Sequence, residues 1–391
     1  MSDRQTHATS PLLRRSRIAL VGTALGAVLC STATTPAVAA PLPTSGWESA
    51  ALGLPAAQRV SQGEGVTVAV LDTGVMVNHP ALKGKVTTGP DLAEDGIKSS
   101  SPKWGVHGTA MASDVLKVAP RARILSVRVI DENQGGSWDA TTGPTKLSKA
   151  IDYAVAHNAD VITMSLGSEA RFGGYNDAEA NAIGNAISHG VPVLASAGND
   201  GGQGKENRPS YPAGYASVIA VAATMENGIR APFSTVRTYN SVAAPGVQIN
   251  SASRSGGTKL VAGTSPACAL AAGVVALMLS KNDKLTVAQT RTILTTTAHH
   301  PTSGHNALVG YGTINAAAAV RAAASPPVDT AATTELKGQE HLATPDGTQK
   351  MQHLPLDPIY WWGGLGTAAV GLLMVIGCVL LLRKGRRTVG S

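Results

Sequence analysis

Gly65-Val66-Thr67-Val68-Ala69-Val70-Leu71-Asp72-Thr73-Gly74-Val75 carries an apolar, β-branched run into a carboxylate and a glycine. Such residues favour extended backbone. A continuous apolar run of this length fits a strand covered on both faces, as in a parallel sheet. The strand ends at Asp72, and Thr73-Gly74 turns the chain. Taken alone, Asp72 reads as a turn-forming residue. Similar runs recur at 124–130, 161–166, 191–195 and 218–222, with helical stretches between them at 147–158 and 178–188. Strands alternating with helices predict an α/β domain whose mainly parallel central sheet is covered on both faces, a three-layer arrangement. In such sheets functional residues gather at the carboxyl ends of the strands.

Three further blocks deserve the same two readings. His107-Gly108-Thr109 heads a stretch of small residues able to start a helix. The glycine lets another chain approach the ring, yet most histidines are ordinary surface or core residues. Ser196-Ala197-Gly198-Asn199-Asp200 closes the run 191–195. Asn199 is either a turn residue or an amide donor for an oxyanion. Gly263-Thr264-Ser265-Pro266-Ala267 precedes a small, apolar stretch at 268–279 that suits a buried helix. Ser265 would sit at its start, where free N–H groups and the dipole favour negative charge. Pro266 fits the first turn. A plain helix cap is the competing reading of Ser265.

Each block alone is ambiguous; the ordered set Asp72, His107, Asn199, Ser265 is not. With Ser165-Leu166-Gly167 it resembles the subtilisin-like serine peptidases, family S8, over residues 55–322, in the chain order Asp, His, Ser. The resemblance implies a subtilisin-like fold and a catalytic triad of Asp72, His107 and Ser265. It implies an oxyanion hole formed by Asn199 and the Ser265 N–H. It also implies substrate binding by Ser165, Leu166, Gly167, Ser196, Ala197 and Gly198. An N-terminal signal peptide, a short extension at 41–59, the phrase 65–75, a Pro-rich tether and one C-terminal helix together further resemble the mycosins, the membrane-anchored subtilases of type VII secretion. The sequence departs from many subtilases at Ala110-Met111 and at 266–271, which changes packing beside the site and leaves the four functional groups in place. Many mycosins carry disulfides. Here Cys30 and Cys378 lie in terminal apolar runs, so Cys268 is the one cysteine of the domain and no internal disulfide can form. Cys268, one helical turn past Ser265, reads as a small core residue. The acidic and Asn-rich loops at 131–133 and 199–200 lack the spacing of a calcium loop. We expect no cofactor and no required metal.

The formal net charge of +7 would suggest a nucleic-acid partner. Its excess sits at the two ends, in Arg4, Arg14, Arg15, Arg17 and in Arg383, Lys384, Arg386, Arg387. Without those residues and Asp3, basic and acidic residues balance, so no nucleic acid is expected. Residues 14–17 followed by the apolar run 18–30 and Ala37-Val38-Ala39 read as a signal peptide, 1–39. An N-terminal extension follows at 40–59, then the peptidase domain at 60–322. A Pro/Ala/Thr-rich tether fills 323–359 and predicts a flexible span of ~30–35 Å. The uncharged run after it, with Tyr360, Trp361 and Trp362 at one end, predicts a single transmembrane helix at 360–382. The basic tail 383–391 then marks the cytoplasmic side. The chain is thus expected in the cell membrane with its catalytic domain outside, acting on protein or peptide substrates near the outer membrane face. The mycosin resemblance implies a place in a type VII secretion membrane complex. The rival reading is a scaffold of that complex in which proteolysis is dispensable. The intact set of four groups argues against an inactive homologue.

Overall fold

The computed structural model describes residues 46–130, 144–167, 175–329 and 358–387. The expected signal peptide, the 131–133 loop and residues 330–357 of the expected tether lie outside them. The chain divides after Ala331 into two units.

In the first unit seven strands form one sheet: β1 (Thr67–Asp72), β2 (Val86–Asp91), β3 (Arg123–Arg128), β4 (Val161–Met164), β5 (Val193–Ser196), β6 (Ile219–Thr224) and β7 (Asn240–Pro245). Their order is β2-β3-β1-β4-β5-β6-β7, and every pairing is parallel. The five expected runs all yield strands. The two unexpected strands, β2 and β7, contain Pro90 and Pro245 and lie at the two edges. Proline cannot donate to a ladder, so edges are where it is tolerated, and the same residues hide these strands from a reading by apolar runs.

Alternation along the strands builds two cores. Val68 and Val70 of β1, Ile124 of β3 and Val161 of β4 face one layer. There they meet α3 (Val106–Val118), α6 (Thr264–Lys281), α7 (Val287–Thr296) and α8 (Ala316–Ala323). Ala69, Leu71, Leu125, Val127 and Ile162 face the other, against α4 (Lys146–Ala156) and α5 (Asp177–Ser188). Both faces are covered, which explains the continuous apolar runs of the central strands.

Helix α6 is apolar nearly all round and long enough to cross a membrane, but it is buried in this core. Small residues let it approach α3. A Cβ on Gly273 would lie 2.6 Å from Val118 Cβ and 2.9 Å from the Val115 carbonyl. The close approach matters because both helices begin at the site described below. A short hairpin, β8 (Ile249–Ala252) with β9 (Thr258–Val261), leads into α6.

Residues 46–59 of the expected N-terminal extension are built into this fold. They form α1 (Trp47–Leu52) and α2 (Leu54–Gln58), whose Leu52, Leu54 and Ala57 are fully buried. Burying each leucine contributes about 1.5–3 kcal/mol. Trp47 Nε1 donates to the Val247 carbonyl at 2.9 Å, and Gln58 Nε2 donates to the carbonyls of Lys117 and Val118, both at 2.9 Å. Glu48 accepts from Lys117 Nζ at 2.8 Å inside the protein.

The second unit contains α9 (Pro358–Arg387), 30 residues long. Its segment Trp361–Leu380 is long and apolar enough to cross a membrane and none of it is buried. Arg383, Lys384, Arg386 and Arg387 continue the same helix.

Candidate active site

Strand β1 lies between β3 and β4, so the chain leaves it in one direction and returns on its other side. Crevices at the carboxyl end of such a switch point bind ligands. Asp72 ends β1 there and is fully buried. Its Oδ1 accepts from the Thr73 N–H at 2.7 Å. The His107 ring presents Nδ1 at 2.9 Å from both Asp72 carboxylate oxygens. A carboxylate only accepts, so Nδ1 carries the proton and Nε2 is the ring atom left to take another.

The backbone around this pair explains the residue types. Gly108 donates its N–H to Thr73 Oγ1 at 2.9 Å. A Cβ on Gly108 would stand 2.2 Å from the Gly74 carbonyl and 3.1 Å from Asp72 Oδ1, so only glycine lets α3 start this close to β1. Thr109 Oγ1 accepts from the Met76 N–H at 2.9 Å and ties the turn to the helix. From below, buried Arg128 donates to the Thr73 carbonyl at 3.1 Å and to Asp91, and stacks over Trp104.

Strand register brings the other residues alongside. Val70 pairs with Thr163 and Met164 with Ala195, so Asp72, Ser165 and Ser196 lie at the carboxyl ends of three adjacent strands. Ser265 sits in the first turn of α6 and donates Oγ–H to the Ser165 carbonyl at 3.1 Å. Ser165 Oγ donates back to the Ser265 carbonyl at 2.9 Å. Ser196 Oγ reaches the Leu166 carbonyl at 3.1 Å and links the two expected substrate segments. Gly167 is exposed, whereas Ala197 and Gly198 are buried. Gly198 has φ +101°, a region that favours glycine.

Asn199 is exposed, and its Oδ1 accepts from the Thr264 N–H at 2.9 Å and from Thr264 Oγ1 at 3.0 Å. Both partners donate, which assigns the oxygen to Thr264 and leaves the amide N–H₂ on the other side. Thr264 Oγ1 also accepts from the Gly198 N–H at 3.2 Å. Thr264 is the positioning residue that sequence reasoning passed over, although it stood next to Ser265. Cys268 is fully buried 3.4 Å from Thr163 Oγ1, and burial pushes its thiol up to about 12. It stays protonated and unreactive at neutral pH. Among the described residues no group of three His, Cys, Asp or Glu is arranged to hold a metal. Asp200 uses Oδ2 to accept from the Arg208 N–H at 3.0 Å.

Comparison with known proteins gives the family. The profile of the subtilase family, peptidase S8, matches residues 63–312. The chain therefore belongs to the subtilase family of serine peptidases. It is 37% identical over 267 residues to Subtilisin NAT of Bacillus subtilis subsp. natto, covering 66% of either chain. It is 36% identical over 235 residues to thermitase of Thermoactinomyces vulgaris, covering 58% of this chain and 79% of thermitase. Among solved structures it is similar to MycP1 from Mycobacterium smegmatis, at 26% identity and a TM-score of 0.59. That match covers 72% of this chain and 86% of MycP1. MycP3 protease from the type VII (ESX-3) secretion system is also similar, at 27% identity and a TM-score of 0.59, with 72% and 90% covered.

Proposed function

We propose that this chain is a serine endopeptidase held at the outer face of the cell membrane by α9, with Asp72, His107 and Ser265 as its catalytic triad. One observation carries the reading. Buried Asp72 grips His107 Nδ1 through both oxygens at the carboxyl end of β1, and Ser265 at the start of α6 is bonded to Ser165 at the carboxyl end of the adjacent strand β4. The carboxylate fixes the imidazole tautomer and stabilises the imidazolium that forms. His107 Nε2 takes the Ser265 proton once the hydroxyl swings away from the Ser165 carbonyl. Ser265 Oγ attacks the scissile carbonyl, and His107 returns the proton to the leaving amine. The Asn199 amide and the Ser265 N–H receive the oxyanion. Ser165–Gly167 and Ser196–Gly198 border the substrate chain.

The location rests on composition and length. Trp361–Leu380 is a candidate span, and the basic residues beyond it support a C-terminus on the inside. The structural likeness to MycP1, described as an essential component of the type VII (ESX-1) secretion system, supports a role in such a membrane complex. Its substrates are then protein segments near the outer membrane face.

The test is Ser265→Ala in the full chain. Peptide hydrolysis should vanish while thermal unfolding stays as in wild type. Normal hydrolysis by the purified variant removes the triad assignment. Secreted-protein fragments compared between wild-type and Ser265→Ala cells separate the two roles: identical fragments with intact secretion would make the chain a scaffold.

A further inference from the structure

A polar cavity opens at the other end of the sheet, where β6 and β7 begin, away from the strand ends that carry Asp72 and Ser196. Its volume is about 370 Å³. Arg291 of α7 lines it, half-buried, donating to the Val218 carbonyl at 3.3 Å and to Ser241 Oγ at 3.2 Å. Both partners are neutral. Burial lowers the pKa of this guanidinium, opposed only by Tyr311. His305 lies on the same wall, its Nε2 3.1 Å from the Asn240 carbonyl. A carbonyl only accepts, so Nε2 bears the proton there. The ring meets Tyr311 edge-on at 4.8 Å between centroids.

No carboxylate lines this cavity among the described residues. The sequence around it is equally short of acid. Between Glu226 and Asp329 the one acidic residue is Asp283, against eight Lys and Arg. A partly buried cation without a counter-charge is unfavourable unless an anion joins it. A guanidinium has five N–H donors in a fork suited to carboxylate or phosphate oxygens, and the two protein contacts leave most of them over.

We infer that this cavity is a binding site for a small oxyanion, with Arg291 as its anchor and His305, Ser241 and Tyr311 around it. The site is independent of the peptidase reading and lies on a different edge of the fold.

The test uses the full chain and inorganic phosphate, with chloride added to hold ionic strength constant. The melting temperature should rise saturably with phosphate, as for any ligand that binds the folded state alone. Sodium acetate in a parallel titration tells a carboxylate ligand from a phosphate-like one; saturation by either supports the site. Arg291→Met should weaken phosphate binding by roughly 30-fold or more, the usual cost of removing one partner of a buried charge pair. A shift that follows ionic strength alone, or that survives unchanged in Arg291→Met, overturns the inference. If Arg291→Met does not fold, wild type suffices: phosphate should protect Arg291 from an arginine-selective dicarbonyl reagent, read by peptide mass mapping. Equal modification with and without phosphate overturns it too.

Discussion

Helix α3 carries a charged cluster at each end, and the two are built on opposite plans. At its start Asp72 is wholly buried, but the His107 side chain that faces it is 38% exposed. The charge is therefore shared with a group that solvent and a substrate can reach. Farther along, Asp114, Lys117 and Glu48 have side chains at most 1% exposed. Lys117 Nζ lies 2.8 Å from Glu48 Oε1 and 3.5 Å from Asp114 Oδ1. Ser251 Oγ lies 2.8 and 2.7 Å from the two Asp114 oxygens. This second cluster closes on itself and fastens the N-terminal extension and β8 to α3. Burial pushes Asp114 up to about 6, with Lys117 and Ser251 opposing and Glu48 adding to the rise. Burial is the main cause, and a second carboxylate sharing the one ammonium adds to it. A perturbed carboxyl thus marks a charge imbalance, and only its access to substrate makes it a reactive site.

The sharpest break between the two clusters comes from Asp72→Asn. It should cut kcat by ~10⁴ through loss of the correct imidazole tautomer. Thermal unfolding should stay near wild type, since the side chain keeps its shape. A large stability loss with modest kinetic change would make the Asp72 end structural as well.

Lys117→Met probes the closed end. It leaves two buried carboxylates without their cation and should cost about 3–5 kcal/mol of stability. The denaturant midpoint should fall at unchanged slope, and kcat per folded molecule should hold. A kcat loss without a stability loss would mean that the brace positions His107 along α3.

Asn199→Ala acts on the open end alone. Its amide is exposed and held by Thr264. Removing it should lower kcat ~100–1000-fold and leave KM little changed, because the oxyanion forms only near the transition state. A pure KM effect would place Asn199 in substrate binding instead.

The open cluster was legible in the sequence and the closed one was not, for physical reasons. Asp72, His107 and Ser265 each follow or start an element whose apolar run announces it, and glycine sits wherever a neighbour comes close, as at Gly108. The central strands read clearly because both their faces are buried. Strands β2 and β7 did not, since Pro90, Pro245 and polar residues at sheet edges look like loops. Glu48, Asp114, Lys117 and Ser251 are far apart in sequence and of types common on solvated surfaces. Only tertiary packing shows that they meet. The same holds for Thr264, whose hold on Asn199 depends on how α6 docks beside β5. Helix α6 also warns against composition alone, being long and apolar enough to cross a membrane yet buried in the core of the first unit.

The smallest expected effect concerns pH and Asp114. Its folded pKa, about 6, stands above the ordinary aspartate value of 3.8, which serves for the unfolded chain. The folded state therefore binds this proton more tightly than the unfolded state does. Stability from the group is fully present below the unfolded pKa and is lost as pH rises through 6. Other carboxylates titrate in the same range, so the clean measurement is a difference. Asp114→Asn keeps the shape and removes the titration. Denaturant melts of wild type and Asp114→Asn between pH 5 and pH 7.5 isolate the group. Wild-type stability relative to the variant should be level near pH 7.5 and increase as pH falls through about 6 toward pH 5. A difference that stays flat would mean that Lys117 neutralises Asp114 fully and the cluster is balanced. A difference that grows toward pH 7.5 would reverse the sign and make Asp114, like Asp72, a carboxylate whose ionised form the fold prefers.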